Sequence, residues 1–498
     1  MNKIETEKLN MVNGLQNIEV RSAVYINTKF YIYLILGPLF FIGIIYGLPQ
    51  DSFNYAVRGS IGTMAWMTTW WILRPVNIAI SAMLPIVTTS LLGFMPVTSV
   101  LENYASPIVI LLLGANIITI SWSASGLDKR ISLRALCLIG PSIQHQIITW
   151  FIISTIMTIV LPNVVVAAVL IPISVAMLNY LGMGEDIGKS PVATAIMLAI
   201  IYGASLGGFG SPLGGAMNLV SIQHLEEMVL HREYMYINWT ICMLPMLVFV
   251  SAGVLFLLLR IKIKQKELPG SRQFFLDEYK KLPKMSTAEK WSLTLFLAAS
   301  LLSFLRPFYA HALPTLKPPY IFLICGLLSF IVPDGKGNRL MTWDYTSPRL
   351  VWGLFYLFAG GMAIGKMLTE SGAGNILAQA MTSYDLSGGI LLIAIFVFLG
   401  FFLCNVSSAT AACAILVPVV IKLTQTMNLN PIPYVYIASV ASNCAILLPT
   451  SVGAVAVGYG LDPRELLKKG LVVVVFSFFI VSTLGWLFLT YWPGFSVA

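Results

Sequence analysis

The sequence predicts an all-α polytopic membrane protein, on three observations. Of its 498 residues, 57% are hydrophobic and only 10% charged, and the mean hydropathy is +0.84, far outside the range of a soluble globular domain. Apolar runs recur along the chain, and about 20 such residues, rising about 1.5 Å each, span a hydrocarbon core of about 30 Å. The runs are continuous rather than alternating, which disfavours the strands of a barrel.

The clearest runs cover residues 30–48, 148–161, 237–259, 291–305, 390–403 and 471–491, some needing flanking residues to reach full length. Before them lies a polar segment, residues 1–29, with Lys3, Glu5, Glu7, Lys8, Glu19, Arg21 and Lys29. The first run lacks a small-residue cleavage site and reads as a retained helix rather than a signal peptide. The first half, residues 30–259, is followed by a basic linker, 260–290, holding Arg260, Lys262, Lys264, Lys266, Arg272, Lys280, Lys281, Lys284 and Lys290, and then by a second half, 291–498. The excess of inner-loop cations places the linker and the N-terminus in the cytoplasm and the C-terminus outside. The formal net charge of +9 is thus mainly a topology signal, and without patterned aromatics in the linker no nucleic-acid partner is expected. Cys137, Cys242, Cys325, Cys404, Cys413 and Cys444 form no CxxC pair and read as buried small hydrophobes.

The two halves match each other. Gly114 pairs with Gly360, Ser125-Gly126 with Ser371-Gly372, Pro162 with Ser408 and Pro172 with Pro418, every pair 246 residues apart; Ala204-Ser205 pairs with Ala441-Ser442 at 237. Each half therefore carries one copy of a two-part unit. The first part is an apolar run opened by breakers, Leu161-Pro162-Asn163-Val164 in one half and Ser407-Ser408-Ala409-Thr410 in the other, and reads as a re-entrant hairpin. The second is a Gly/Pro-rich break, from Gly207 to Gly215 and from Leu448 to Gly453, and reads as an unwound helix. A lone glycine pair would be explained by close helix packing. Four breaks in register point instead to the central site of a transporter, since irregular backbone at membrane depth must be covered by protein or line a cavity. The expectation is about 11 transmembrane helices plus two re-entrant hairpins in two inverted repeats.

No Arg, Lys or His lies in the four broken elements, so an anion there would be held by dipoles. Half-helix N-termini offer free N–H groups and about half a positive charge each. Asn163, Ser407, Ser408 and Thr410 at the tips, with Asn218, Thr450 and Ser451 from the unwound helices, would add directional hydrogen bonds. Carbonyls exposed at the same breaks could coordinate sodium.

At these residues the chain resembles the divalent anion/sodium symporter family, over about Trp70 to Gly460. Its markers are Trp70-Trp71 through Leu84-Pro85, Gly126-Leu127-Asp128-Lys129-Arg130-Ile131, Tyr202 to Asn218, Gly360-Gly361-Met362-Ala363, and the tips nine residues before Pro172 and Pro418. The resemblance implies carriage of di- and tricarboxylates such as succinate, malate, α-ketoglutarate and citrate, by sodium symport or anion exchange. It further implies a plasma-membrane homodimer in which each protomer has scaffold and transport domains, with elevator-type alternating access. Carried over residue by residue, it puts the small organic anion against Asn163, Val164, Ser408, Ala409, Thr410, Gly215, Asn218, Thr450 and Ser451. Sodium would lie near Asn163, Gly207, Gly208, Gly210, Ser407, Ser408 and Thr410, with no other cofactor. The family's paired Ser-Asn-Thr tips read Pro162-Asn163-Val164 and Ser408-Ala409-Thr410 here, and Arg74 stands where an acidic residue is usual.

Other classes find less support. A zinc protease needs HExxH, and His145, His224, His231 and His311 lack that spacing. For an intramembrane aspartyl enzyme Tyr384-Asp385 is present, but Gly458-Tyr459-Gly460 is followed by Leu461. The two-fold broken repeat supports alternating access better than the open pore of a channel, and the same fold carrying a different anion or a less polar substrate is the alternative reading. Lys366 and Glu370 read as an i,i+4 pair near a helix end, and His145 as a helix-end histidine rather than a proton-coupling group.

Overall fold

The computed structural model describes residues 28–183, 187–373, 388–448 and 452–497. Helices dominate; among the described residues the only bridges of extended chain are two isolated ones. The helices that matter below are α1 (Thr28–Gly47), α2 (Tyr55–Leu73), α3 (Pro107–Ser125), α4 (Ile143–Val160), α5 (Asn163–Tyr180), α6 (Pro191–Gly207), α7 (Ala216–Leu225) and α8 (Tyr236–Leu259) in the first half. In the second half they are α9 (Thr287–Phe304), α10 (Pro318–Leu328), α11 (Trp352–Glu370), α12 (Ile390–Val406), α13 (Ala409–Thr426), α14 (Pro431–Ser442), α15 (Val452–Gly458) and α16 (Pro463–Tyr491). Among the described residues, 8 helices are long and apolar enough to cross a membrane, or up to 9 with the pair Trp343–Arg349 and Trp352–Glu370, which is bent by 55°.

Local chemistry starts these helices where the sequence changes. Ser190, Asn430 and Asp462 accept the N–H of Ala193, Ile432 and Arg464, and a proline follows each of them. Proline suits that first helical position, where its missing N–H is not needed. Ser286 and Glu289 form a reciprocal capping box at the head of α9.

Burial orders the bundle. The spanning window of α6 is 100% buried, whereas those of α1, α16 and α8 are 17%, 28% and 39% buried. A helix apolar on every face belongs in a core, and α6 is that core, lying along α4. Glycine permits the approach: a side chain at Gly203 would collide with Ser154 and the Phe151 carbonyl, and one at Gly207 with the Thr155 carbonyl.

The sequence offset recurs in the helix bounds. α5 and α13 are each 18 residues and run from Asn163 to Tyr180 and from Ala409 to Thr426, while α4 and α12 end at Val160 and Val406, all 246 residues apart in the chain. Gly126 and Gly372 both have φ of +82°, the left-handed turn that glycine adopts without steric cost. The paired Gly114 and Gly360 are contact points, the first against the Phe322 carbonyl of α10 and the second against the Ala82 carbonyl.

The basic segment after α8 is tied to the bundle. Leu268 N–H donates to the Pro141 carbonyl at 2.6 Å and Ile143 N–H to that of Lys266 at 2.9 Å. Phe275 is wholly buried, and Arg130 pairs with Glu289 at 2.5 Å.

Candidate functional site

Each tip is a helix stop followed at once by a helix start. At the first, Leu161 is extended at the end of α4, and Pro162, φ −56°, precedes Asn163 at the head of α5. The Asn163 amide oxygen accepts the Val164 N–H at 2.9 Å, and the Val164 side chain is exposed. At the second, the Ser407 hydroxyl donates back to the Leu403 carbonyl at 2.7 Å, and Ser408 caps α13 by accepting the Ala411 N–H at 3.2 Å. Ala409 is half-buried; Ser407 and Thr410 are buried.

The breaks are shaped by amides. After α6 the chain makes a tight turn over Gly208–Gly210, and Ser211 and Gly215 are extended before α7. Asn218, wholly buried, reaches back and donates through Nδ2 to the Gly208 and Ser211 carbonyls at 2.7 and 2.8 Å. The Ser211 hydroxyl donates to the Ile159 carbonyl in the last turn of α4, which docks the break on the first tip. In the second half Asn405, in the last turn of α12, does this with its side chain. Its Oδ1 accepts the N–H groups of Ile446 and Leu447 at 3.0 and 2.8 Å, and its Nδ2 donates to the Cys444 carbonyl at 3.0 Å.

The breaks then join each other. Asn443 Nδ2 donates to Asn218 Oδ1 at 3.3 Å, and the Ser221 and Ser439 hydroxyls share a hydrogen bond of 2.6 Å. Asn443 Oδ1 is buried without a donor, and a methyl group at Gly208 would lie 3.2 Å from it. That orphan acceptor marks where a cation or a donor would be favoured, because an unpaired buried polar atom costs about 1–3 kcal/mol. Gly210 faces Leu247 and Gly214 faces the Thr158 carbonyl, both too closely for a side chain.

The sequence-expected residues therefore fall into three groups. Asn163, Val164, Ser407, Ser408, Ala409 and Thr410 form the tips, and Gly207, Gly208, Gly210, Gly215 and Asn218 form the first break. Thr450 and Ser451 lie outside the described residues, as do Tyr384 and Asp385. Asn405, Asn443, Ser221 and Ser439 were not foreseen. The signal for Asn405 was present, as an amide near the end of an otherwise apolar 17-residue helix, where a polar group needs a partner.

Arg74, already set apart by its charge in the sequence, is a further participant. It caps the C-terminus of α2 in the left-handed region, φ 52°, and its Nη2 donates to the Ser407 carbonyl. A fixed cation thus touches the second tip, at a carbonyl expected to face sodium.

Peripheral charges serve structure. Lys366 lies 2.9 Å from Glu102 and 3.9 Å from Glu370, and His145 is exposed in the first turn of α4. Among the described residues, no group of three or more His, Cys, Asp or Glu could hold a metal ion. On the turn beyond α7, outside the candidate spans, burial pushes the Glu226 carboxyl up from 4.5 to about 7, against the pull of the Tyr234 N–H and Lys317. The folded state then keeps a proton that the unfolded chain has released. Stability is expected to fall as pH rises from 4.5 to about 7 and to level off above that. Glu226→Gln should flatten this slope in a series of melting temperatures against pH; an unchanged slope would remove Glu226 as its source.

The family model for citrate transporters (CitMHS) matches residues 68–441 and 339–497. The chain belongs to the citrate transporter family. Its relatives include the sodium-dependent dicarboxylate transporter SdcS of Staphylococcus saprophyticus, 26% identical over 448 residues and covering 87% of this chain and 86% of that protein. The SdcS protein of Staphylococcus aureus is 28% identical over 467 residues, covering 90% and 89%. The YdaH transporter of Alcanivorax borkumensis aligns at 14% identity and a TM-score of 0.49, covering 80% of this chain and 89% of that one. As a member of the citrate transporter family the chain is an integral membrane transporter and not an enzyme.

Proposed function

We propose that this protein carries a small di- or tricarboxylate across the plasma membrane by secondary active transport, with α4–α5 and α12–α13 as re-entrant hairpins. The observation that carries the reading is the junction of two tips and two breaks, closed by the Asn218–Asn443 amide pair. Helix starts at Asn163 and Ala409 supply N–H groups for carboxylates. Break carbonyls and the Asn443 oxygen supply the neutral oxygens that suit sodium as a co-transported ion. The names of the SdcS relatives support both cargoes. In this reading the protein is a homodimer of scaffold and transport domains working by elevator-type alternating access. The N-terminus and the 260–290 segment face the cytoplasm and the C-terminus faces outside.

The test is uptake of labelled succinate, α-ketoglutarate and citrate into proteoliposomes, with and without a sodium gradient. Sodium-driven accumulation is the expected result, and failure to take up any of the three would sink the substrate class. Asn163→Ala and Thr410→Ala are each expected to lower transport about tenfold while leaving the protein folded. Normal rates in both variants would displace the site.

One observation favours anion exchange as a second reading. The Arg74 guanidinium bonds the Ser407 carbonyl, so a permanent charge stands where a mobile cation would otherwise be coordinated. Uptake that needs only internal anion would select this reading. Held beside the tip by that bond, the Arg74 charge would attract a carboxylate, so Arg74→Gln is expected to raise KM for the carboxylate by about tenfold. An unchanged KM would place Arg74 outside recognition.

A further inference from the structure

A cavity with charged and apolar walls lies apart from the tips and breaks. It occupies about 750 Å³ where the α6 and α16 heads meet the end of α8, and none of the candidate site residues lines it. Its charged lining is Lys189, Arg260, Lys262 and Lys469 against Asp462 and Glu465. The carboxylates have other engagements: Asp462 caps α16 by accepting the Arg464 N–H at 2.8 Å, and Glu465 lies 3.9 Å from Lys468. Among the described residues its lining carries four cations against two carboxylates, so the cavity is electropositive. Tyr202, wholly buried on α6, also lines it, and its hydroxyl meets no hydrogen-bond partner. A buried hydroxyl without a partner is costly in an apolar surround, and an anionic oxygen would satisfy it.

The setting adds a membrane boundary. The walls include Leu257 and Leu258 from the last turn of α8 and Val472 and Val473 from α16, the two helices being 39% and 28% buried in their spanning windows. Both thus present apolar faces to lipid, while Arg260 and Lys262 open the basic segment where α8 ends. Cations at the bilayer edge, with apolar helix walls and a hydroxyl deeper along α6, match a phosphate ester better than a bare carboxylate, because they offer charge at one end and chain-shaped contact at the other.

We infer that this cavity is a binding site for a phosphate ester anion, carried by an anionic membrane lipid or by a soluble phosphate on that face. Lys262 and Lys469 supply charge and Tyr202 supplies a hydrogen bond. The site stands independently of the transport cargo.

The test uses the full-length protein, by native mass spectrometry after release from nanodiscs of phosphatidylcholine with and without phosphatidylglycerol, and separately with glycerol phosphate added in detergent. Retained phosphatidylglycerol should exceed phosphatidylcholine, and should fall by about tenfold in the Lys262→Gln, Lys469→Gln double variant. Tyr202→Phe, which keeps the ring packing, should weaken retention by a smaller factor. Retention of the lipid but not of glycerol phosphate assigns the source to the membrane; retention of glycerol phosphate that the double variant loses assigns it to solution. Equal retention of the two lipids with no glycerol phosphate bound, or retention in either arm that the double variant leaves unchanged while its melting temperature matches the parent's, overturns the proposal.

Discussion

Asn218→Ala is expected to lower transport by more than tenfold and to destabilise the protein by about 2–4 kcal/mol. The amide does three things at one point. It donates to the Gly208 and Ser211 carbonyls and accepts from Asn443. Without it the Ser211 carbonyl keeps the Gly214 N–H at 3.2 Å, and the Gly208 carbonyl loses its amide donor. Water is scarce at that depth, so the lost bonds are not replaced by solvent. In Asn443→Ala the Ser439 carbonyl loses the side-chain donor at 2.9 Å but keeps the backbone N–H of residue 443 at 3.2 Å, so that variant should cost less. The double variant should be less damaging than the sum of the two, by the coupling between them. Melting temperature in detergent and uptake in proteoliposomes measure both effects. An Asn218→Ala protein with the parent's melting temperature and KM would show that the two breaks do not depend on this amide.

Glu233→Ala is expected to destabilise the fold by about 3–5 kcal/mol, because it leaves a buried guanidinium without its counter-charge. Arg306 is only 2% exposed and faces Glu233 with two parallel hydrogen bonds, 2.9 and 3.1 Å, while also donating to the Leu313 and Pro314 carbonyls. The Glu233 carboxylate holds the Arg306 pKa above its ordinary value. Arg306→Lys should not rescue the pair, since an ammonium cannot reproduce the fork. The contrast is Glu102→Ala. Glu102 is 70% exposed beside Lys366, and an exposed pair contributes about 0–1 kcal/mol. Equal melting temperatures for the Glu233 and Glu102 variants would show that burial does not set the strength of these pairs.

Much of this was legible before folding. The run lengths follow from bilayer thickness, so composition and hydropathy sufficed for the class. Pro162 and Ser408 disclosed the tips because a chain in lipid cannot leave backbone groups unpaired, which makes a breaker there conspicuous, and Pro172 and Pro418, which lie inside α5 and α13, set the register between them. The bounds of α5 and α13 carry the 246-residue offset that these residues had already shown. The glycines were half legible. Gly207 and Gly214 were read through the broken element, and the structure shows in addition that helix-to-helix approach requires them.

What holds the junction together was not legible. Asn405 acts on backbone 39 to 42 residues away, Asn443 on a residue 225 away and Arg74 on one 333 away. No local pattern encodes such partners. By itself the sequence determined that the chain lives in a membrane and where its helices must break, because both follow from the energetics of apolar length and unpaired backbone. The tertiary structure alone decided which break meets which tip and that an arginine reaches the second tip. Hydrogen bonds form between whatever groups packing makes adjacent, and adjacency is a property of the assembled bundle.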